Sequence, residues 1–239
     1  NMVISTNSER VNEIRKTNLA LLISNHYGDC IGPCMKACPG HTDCQGYVGL
    51  VANGEFEKAN ELIKDKIPLP ACIGRVCPHP CEDACRRGLV DEPISIAMIK
   101  RFAGDMDIAA EERFIPDMEE DTGKTVAIIG GGPMGLSAAY FLRQRGHEVT
   151  IFDSMPKLGG MLRYGIPEYR LPKEVLDAEI AIMEAMGIQI VPNTKVGVDI
   201  PLDTIRNDFD AVVLGIGAWL STGVGCPGED AEGVIGGID

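Results

Sequence analysis

The stretch KTVAIIGGGPMGLSAAYFLRQRGHEVTIFD, residues 124–153, decides the fold. Val126 to Ile129 is a short apolar run that ends in glycines, the pattern of a parallel strand covered on both faces. Pro133 to Gln144 reads as a helix with proline in its first turn. Glu148 to Phe152 reads as a second strand. Between the first strand and the helix stands Gly130-x-Gly132-x-x-Gly135. Each glycine has a task there: Gly130 permits the tight turn, Gly132 lets backbone approach a pyrophosphate, and Gly135 allows close contact between helix and strand. Pro133 opens the helix whose positive N-terminus would face that pyrophosphate. Asp153, at the end of the second strand, is placed to accept hydrogen bonds from ribose hydroxyls.

Toward the C-terminus the alternation continues. Pro172 to Met186 reads as a helix with Leu176, Ile180 and Met183 on one face and Gly187 as its stop. Ile188 to Val191 and Ala211 to Leu214 read as further short strands. Alternating strands and helices predict a parallel sheet of Rossmann type. The glycine motif alone does not separate FAD from NAD(P). Gly159-Gly160 favours FAD, because a second glycine pair after Asp153 lets the chain pass close to a dinucleotide. The last strand runs into Gly215-Ile216-Gly217, a small-residue turn where a flavin edge is expected near Gly217.

Toward the N-terminus the composition changes. Of nine cysteines, eight lie between residues 30 and 85. The first group is Cys30-x3-Cys34-x3-Cys38-x5-Cys44, and the second is Cys77-x3-Cys81-x3-Cys85. Dense thiols without a secretory signal argue for metal or cluster ligation in a reducing compartment rather than for disulfides. Zinc sites favour Cys-x2-Cys knuckles, and neither group has one. Each group contains a Cys-Pro dipeptide, Cys38-Pro39 and Cys77-Pro78, as bacterial ferredoxin runs do. Cys72, between Ala71 and Ile73, reads as a packed small hydrophobe, and Cys226 as a bystander in a glycine- and proline-rich tail. Phe56, Ala59, Leu62 and Ile63 share a helical face, as do Ile96, Ile99 and Ala103. The acidic run Asp105 to Asp121 reads as a solvated connector. The expected organisation is therefore multi-domain, α plus α/β: an α-helical iron–sulfur domain over 1–104, a linker over 105–123, and a Rossmann-like FAD-binding domain over 124–239.

The chain has 239 residues, 45% of them hydrophobic, and a formal charge of −13. That acidity disfavours nucleic acid and anionic lipid as partners, and no apolar run is long and unbroken enough to span a membrane. A cytoplasmic location is expected.

The run Gly159-Gly160-Met161-Leu162-Arg163-Tyr164-Gly165-Ile166-Pro167-Glu168-Tyr169-Arg170-Leu171-Pro172-Lys173 resembles the signature of the small (beta) subunit of NADPH-dependent glutamate synthase. Gly74-Arg75-Val76-Cys77-Pro78 with Cys81 and Cys85 resembles that family's second cysteine group. Relatives of the family include the N-terminal part of dihydropyrimidine dehydrogenase and the large subunit of NADH-dependent ferredoxin:NADP oxidoreductase. The resemblance implies an α-helical ferredoxin-like domain with two [4Fe–4S] clusters, FAD, and NADPH in the full-length protein. It implies an NAD(P)H-dependent oxidoreductase subunit that passes electrons to a protein partner. It implies that Arg163 and Gly160 help hold the flavin. It implies that Cys38 joins Cys77, Cys81 and Cys85 at one cluster, with Cys30, Cys34 and Cys44 at the other.

Three features depart from the family pattern. The Cys-x2-Cys pair ahead of the Cys34 position is reduced to Cys30, so a fourth ligand is open, with His26 and His41 as candidates. The acid ending the second strand is Asp153 instead of the commoner Glu. No second Gly-x-Gly-x-x-Gly unit follows, so the FAD domain is expected to be incomplete and this chain alone inactive with NADPH. Two other readings stay open. In one, the same electron-transfer module serves a hydrogenase, a formate dehydrogenase or a ferredoxin. In the other, the chain is a non-enzymatic docking module built on structural metal.

Overall fold

The computed structural model describes residues 4–26, 28 and 30–237. The N-terminal half is helical, with α1 over Glu9–Ser24, α2 over Pro33–Ala37, α3 over Cys44–Ala52, α4 over Phe56–Lys64, α5 over Pro70–Val76, α6 over Pro80–Asp83 and α7 over Ile96–Ala109. Short helices suit this segment because prolines start three of them: Pro33, Pro70 and Pro80 each stand at the first turn, where the missing N–H costs nothing. The helix α1 starts at Ser8, whose hydroxyl accepts from the Val11 N–H at 3.4 Å, and it buries none of its residues. Helix α7 is the organiser of this half, packing against α3, α4, α5 and α6.

The second half alternates: β1 (Thr125–Ile129), α8 (Pro133–Gln144), β2 (Glu148–Phe152), α9 (Met161–Tyr164), α10 (Lys173–Ala185), β3 (Gln189–Val191), α11 (Leu202–Asp208) and β4 (Ala211–Leu214). The four strands form one parallel sheet in the order β3-β2-β1-β4. From β1 the chain winds outward through β2 to β3, then crosses back to place β4 on the other side of β1. The carboxyl ends of β1 and β4 therefore make a topological switch point, where open α/β sheets receive ligands. Every residue of β1 after Thr125 is buried, as the apolar run requires.

The two halves share one core. Leu69 and Cys72, from the helical half, pack in the same buried cluster as Leu136, Ile151, Leu176, Ile180 and Met183. Residues 105–109, within the expected connector, continue α7. Asp107 holds them there by pairing with buried Lys64 at 3.0 Å and by accepting from the Phe114 N–H at 2.8 Å. Downstream, the N–H groups of Glu119 and Thr122 donate to the carbonyls of Gln144 and Gly146 at 2.8 and 3.1 Å, tying the acidic segment to the end of α8. Glu179 of α10, 2% exposed, accepts from the Ala71 and Cys72 N–H groups at 2.8 and 2.9 Å. It caps the free N-terminus of α5 with a carboxylate from the other half of the molecule. Burial pushes this carboxyl up, against the hydrogen bonds of Cys72 and Ala71 and the charge of Lys64. Among the described residues no helix is long and apolar enough to cross a membrane.

Candidate functional site

A cleft of about 1030 Å³ opens at the switch point. Gly130, Gly132, Pro133, Asp153, Gly160 and Gly217 all line it. Gly130 turns at φ +104, and a Cβ there would stand 2.3 Å from the Gly215 carbonyl oxygen at the end of β4. Gly135 lies behind the cleft wall: its Cβ would stand 1.9 Å from the Gly130 carbonyl oxygen, so α8 can lie this close to the β1 turn only without a side chain. Gly160, at φ +49, faces Gly132 across the cleft floor, where a Cβ on Gly160 would come within 2.7 Å of the Gly132 Cα. A hydrogen bond from the Gly159 N–H to the Gly131 carbonyl, 2.8 Å, joins the two glycine loops. The N-cap of α8, Gly132, offers no side chain to its first N–H groups, which leaves them for an anion.

Asp153 is buried and already engaged. Its Oδ2 accepts from the Gly131 N–H at 2.6 Å and its Oδ1 from the Met155 N–H at 2.8 Å. Each carboxylate oxygen can accept further bonds, so donors on the cleft side still find an acceptor. The structure does not bring Arg163 to the cleft lining. Its Nε donates to the Leu158 carbonyl at 2.6 Å and its guanidinium pairs with Asp177 of α10. Arg163 thus holds the loop after Gly160 against α10. Sequence reasoning missed Gly131, whose Cβ would stand 2.3 Å from Leu158 Cδ2; the unbroken triplet Gly130-Gly131-Gly132 was the available signal. It also missed Thr194 and Lys195, which line the cleft from the loop after β3 and carry no motif.

In the helical half, Cys34 on α2, Cys44 at the start of α3 and Cys81 on α6 are buried in one cluster, with Cys38 packed against it. Burial pushes the Cys44 thiol up to about 12, opposed by a hydrogen bond with Tyr47 and reinforced by neighbouring Cys81, Cys34 and Cys38. Burial also pushes the Cys38 thiol up, but hydrogen bonds from Thr42 and Gly40 and the charge of Lys100 outweigh it and hold that thiol below its ordinary value. Cys77 ends α5, and its Sγ accepts from the His79 N–H at 3.3 Å. Cys85 lines a shallow pocket with Pro33, Lys36 and Ala37 of α2. Cys30 is exposed, with Sγ 3.3 Å from His26 Nε2, whereas His41 is exposed with φ +49. Cys72 is fully buried in the shared core and Cys226 is exposed.

The two sequence groups therefore meet through Cys38 and Cys81, and Cys44 lies with Cys34, Cys38 and Cys81. Among the described residues no three His, Cys, Asp or Glu side chains converge tightly enough to hold a single metal ion. The clustered side chains are all thiols, soft sulfur of the kind that iron and zinc bind. Such thiols lose their protons when they bind iron.

A helical, cysteine-bearing domain that shares its core with a Rossmann-like dinucleotide fold defines the class. Residues 5–112 match the family described as dihydropyrimidine dehydrogenase domain II, 4Fe-4S cluster, and residues 128–189 match the family of NAD(P)-binding Rossmann-like domains. The chain is similar to the glutamate synthase small chain, and the two family models match its helical half and its Rossmann-like half in turn. It is 43% identical to the NADP(+)-dependent formate dehydrogenase subunit beta of Moorella thermoacetica, over 83% of this chain and 31% of that protein. It is 41% identical to the NADPH-Fe(3+) oxidoreductase subunit beta of Geobacter sulfurreducens, over 87% of this chain and 32% of that protein. The Glutamate synthase [NADPH] small chain of Escherichia coli is 40% identical, over 84% of this chain and 43% of that protein. The chain thus spans about a third to under half the length of these curated relatives.

Proposed function

We propose that this chain is the iron–sulfur and flavin-binding part of an NAD(P)H-dependent oxidoreductase subunit, passing electrons between NAD(P)H and a protein partner. The observation that carries the reading is the shared core: sulfur ligands and dinucleotide cleft sit on elements locked together by Leu69, Cys72 and Glu179. In this reading the free N–H groups of α8 take the pyrophosphate of FAD, Asp153 takes a ribose hydroxyl, and Gly132 and Gly160 leave room for both. Arg163 acts as a positioning residue by bracing the Gly160 loop. Cys30, Cys34, Cys38, Cys44, Cys77, Cys81 and Cys85 hold two [4Fe–4S] clusters. When bound, the flavin converts two-electron hydride chemistry into the single-electron steps that clusters carry.

The partner is a subunit that supplies or accepts electrons. One relative is named as the beta subunit of a formate dehydrogenase, which supports a formate dehydrogenase partner as much as glutamate synthase. The test is anaerobic purification followed by visible spectroscopy. The reading expects the broad brown absorbance of iron–sulfur clusters, and flavin released on heating the full-length protein. A colourless protein would contradict it.

A further inference from the structure

We propose that Lys100 is a built-in counter-cation for the iron–sulfur cluster bound across the two cysteine groups. The proposal rests on the cluster reading given under Proposed function. Lys100 is 5% exposed. It lies on α7 one turn from Ile96 and Ala103, and both pack in the same core as Cys34, Cys44 and Cys81. Helix α7 also packs on α6, which carries Cys81. The Lys100 charge acts on Cys38 from the first group and Cys81 from the second.

Two other cations of this half are matched by carboxylates: buried Lys64 by Asp107 at 3.0 Å and partly buried Arg75 by Asp105 at 2.7 Å. Lys100 forms no ion pair among the described residues. The nearby Glu82 of α6 already accepts from the Ala97 N–H at 2.8 Å. An ammonium on a mostly buried stem, with no carboxylate beside it, attracts an anionic group more strongly than an exposed lysine does. Thiolate ligands supply that charge, because cluster binding converts neutral thiols to anions. A protonated ammonium has no lone pair for iron, so Lys100 acts through its charge and not as a ligand.

Net charge near a cluster is one of the levers on its reduction potential. An electron entering the cluster adds negative charge beside Lys100, and the ammonium stabilises that reduced state. Lys100 thereby favours both assembly of this cluster and its reduction.

The test compares wild type, Lys100→Met and Lys100→Arg, purified anaerobically as the full-length protein. Iron and acid-labile sulfide are measured, and the clusters are titrated with dithionite under EPR. Lys100→Met keeps the length and apolar stem of the side chain but removes the charge. It is expected to move the midpoint of one cluster to more negative potential or to lose that cluster's iron, while Lys100→Arg stays near wild type. If the Met variant does not fold, Lys100→Gln is read in its place. A charge-neutral variant with full iron and an unmoved midpoint overturns the counter-cation and leaves the cluster reading standing. Wild type without iron or sulfide overturns both.

Discussion

The two sites of this molecule hold their polar groups in opposite states. In the dinucleotide cleft everything is arranged before a ligand arrives: Asp153 is fixed by two backbone N–H groups, and the glycine loops are tied at 2.8 Å. In the cysteine core the buried thiols form no disulfide, and a buried lysine has no carboxylate partner among the described residues. The difference separates two kinds of binding site. The cleft is a shape made by backbone, with its glycine loops and Asp153 held by hydrogen bonds. In the proposed reading, the cysteine core is a set of neutral thiols that become anions only when metal and sulfide bind.

The largest expected effect breaks the cleft. Gly135→Val puts a branched side chain where even a Cβ lies 1.9 Å from the Gly130 carbonyl oxygen. It should destabilise the α/β half by on the order of 3 kcal/mol or more and abolish flavin retention. Chemical denaturation and bound-flavin absorbance check it. Next comes the link between the regions. Glu179→Ala leaves the buried Ala71 and Cys72 N–H groups without an acceptor, at a cost of about 3 kcal/mol. A single cooperative unfolding transition in wild type that splits in this variant would show that the carboxylate couples the halves. An unchanged transition would mean that the shared apolar core suffices.

On the cysteine side, Cys81→Ser should remove about half of the bound iron if two clusters are present, whereas Cys72→Ser and Cys226→Ser should retain it all. Iron analysis of the three variants checks this, and equal losses in all three would erase the distinction between ligand and structural thiols. The smallest effect is expected from Asp153→Asn, which keeps the size of the side chain but removes the charge. It should weaken flavin binding by about tenfold, roughly 1.4 kcal/mol, read as the flavin dissociation constant.

The cleft was legible in the sequence because its requirements act on backbone. A turn at φ +104, or a contact that admits no Cβ, selects glycine, so the constraint is printed in the residue type. Asp153 was legible because its position follows from strand length. The cysteine groups were legible as two clusters in the sequence but not as an arrangement in space. Spacing did not reveal that Cys44 turns toward Cys38 and Cys81, since that depends on how α3 and α6 pack. Glu179 was invisible for the same reason: its partner Ala71 is 108 residues away, and an acid on a helix reads as a solvated face. Asp107 was read as part of an acidic connector, because its pairing with Lys64 is also long-range. Arg163 lies in the most specific stretch of the chain, yet its guanidinium braces a loop beside the cleft and does not line it.

The central claim is that the helical half holds iron–sulfur clusters fused to a dinucleotide fold. Its most direct test is iron, acid-labile sulfide and zinc per chain in anaerobically purified protein. The account predicts about eight iron and eight sulfide, with no zinc, for two [4Fe–4S] clusters. Stoichiometric zinc without sulfide would contradict it.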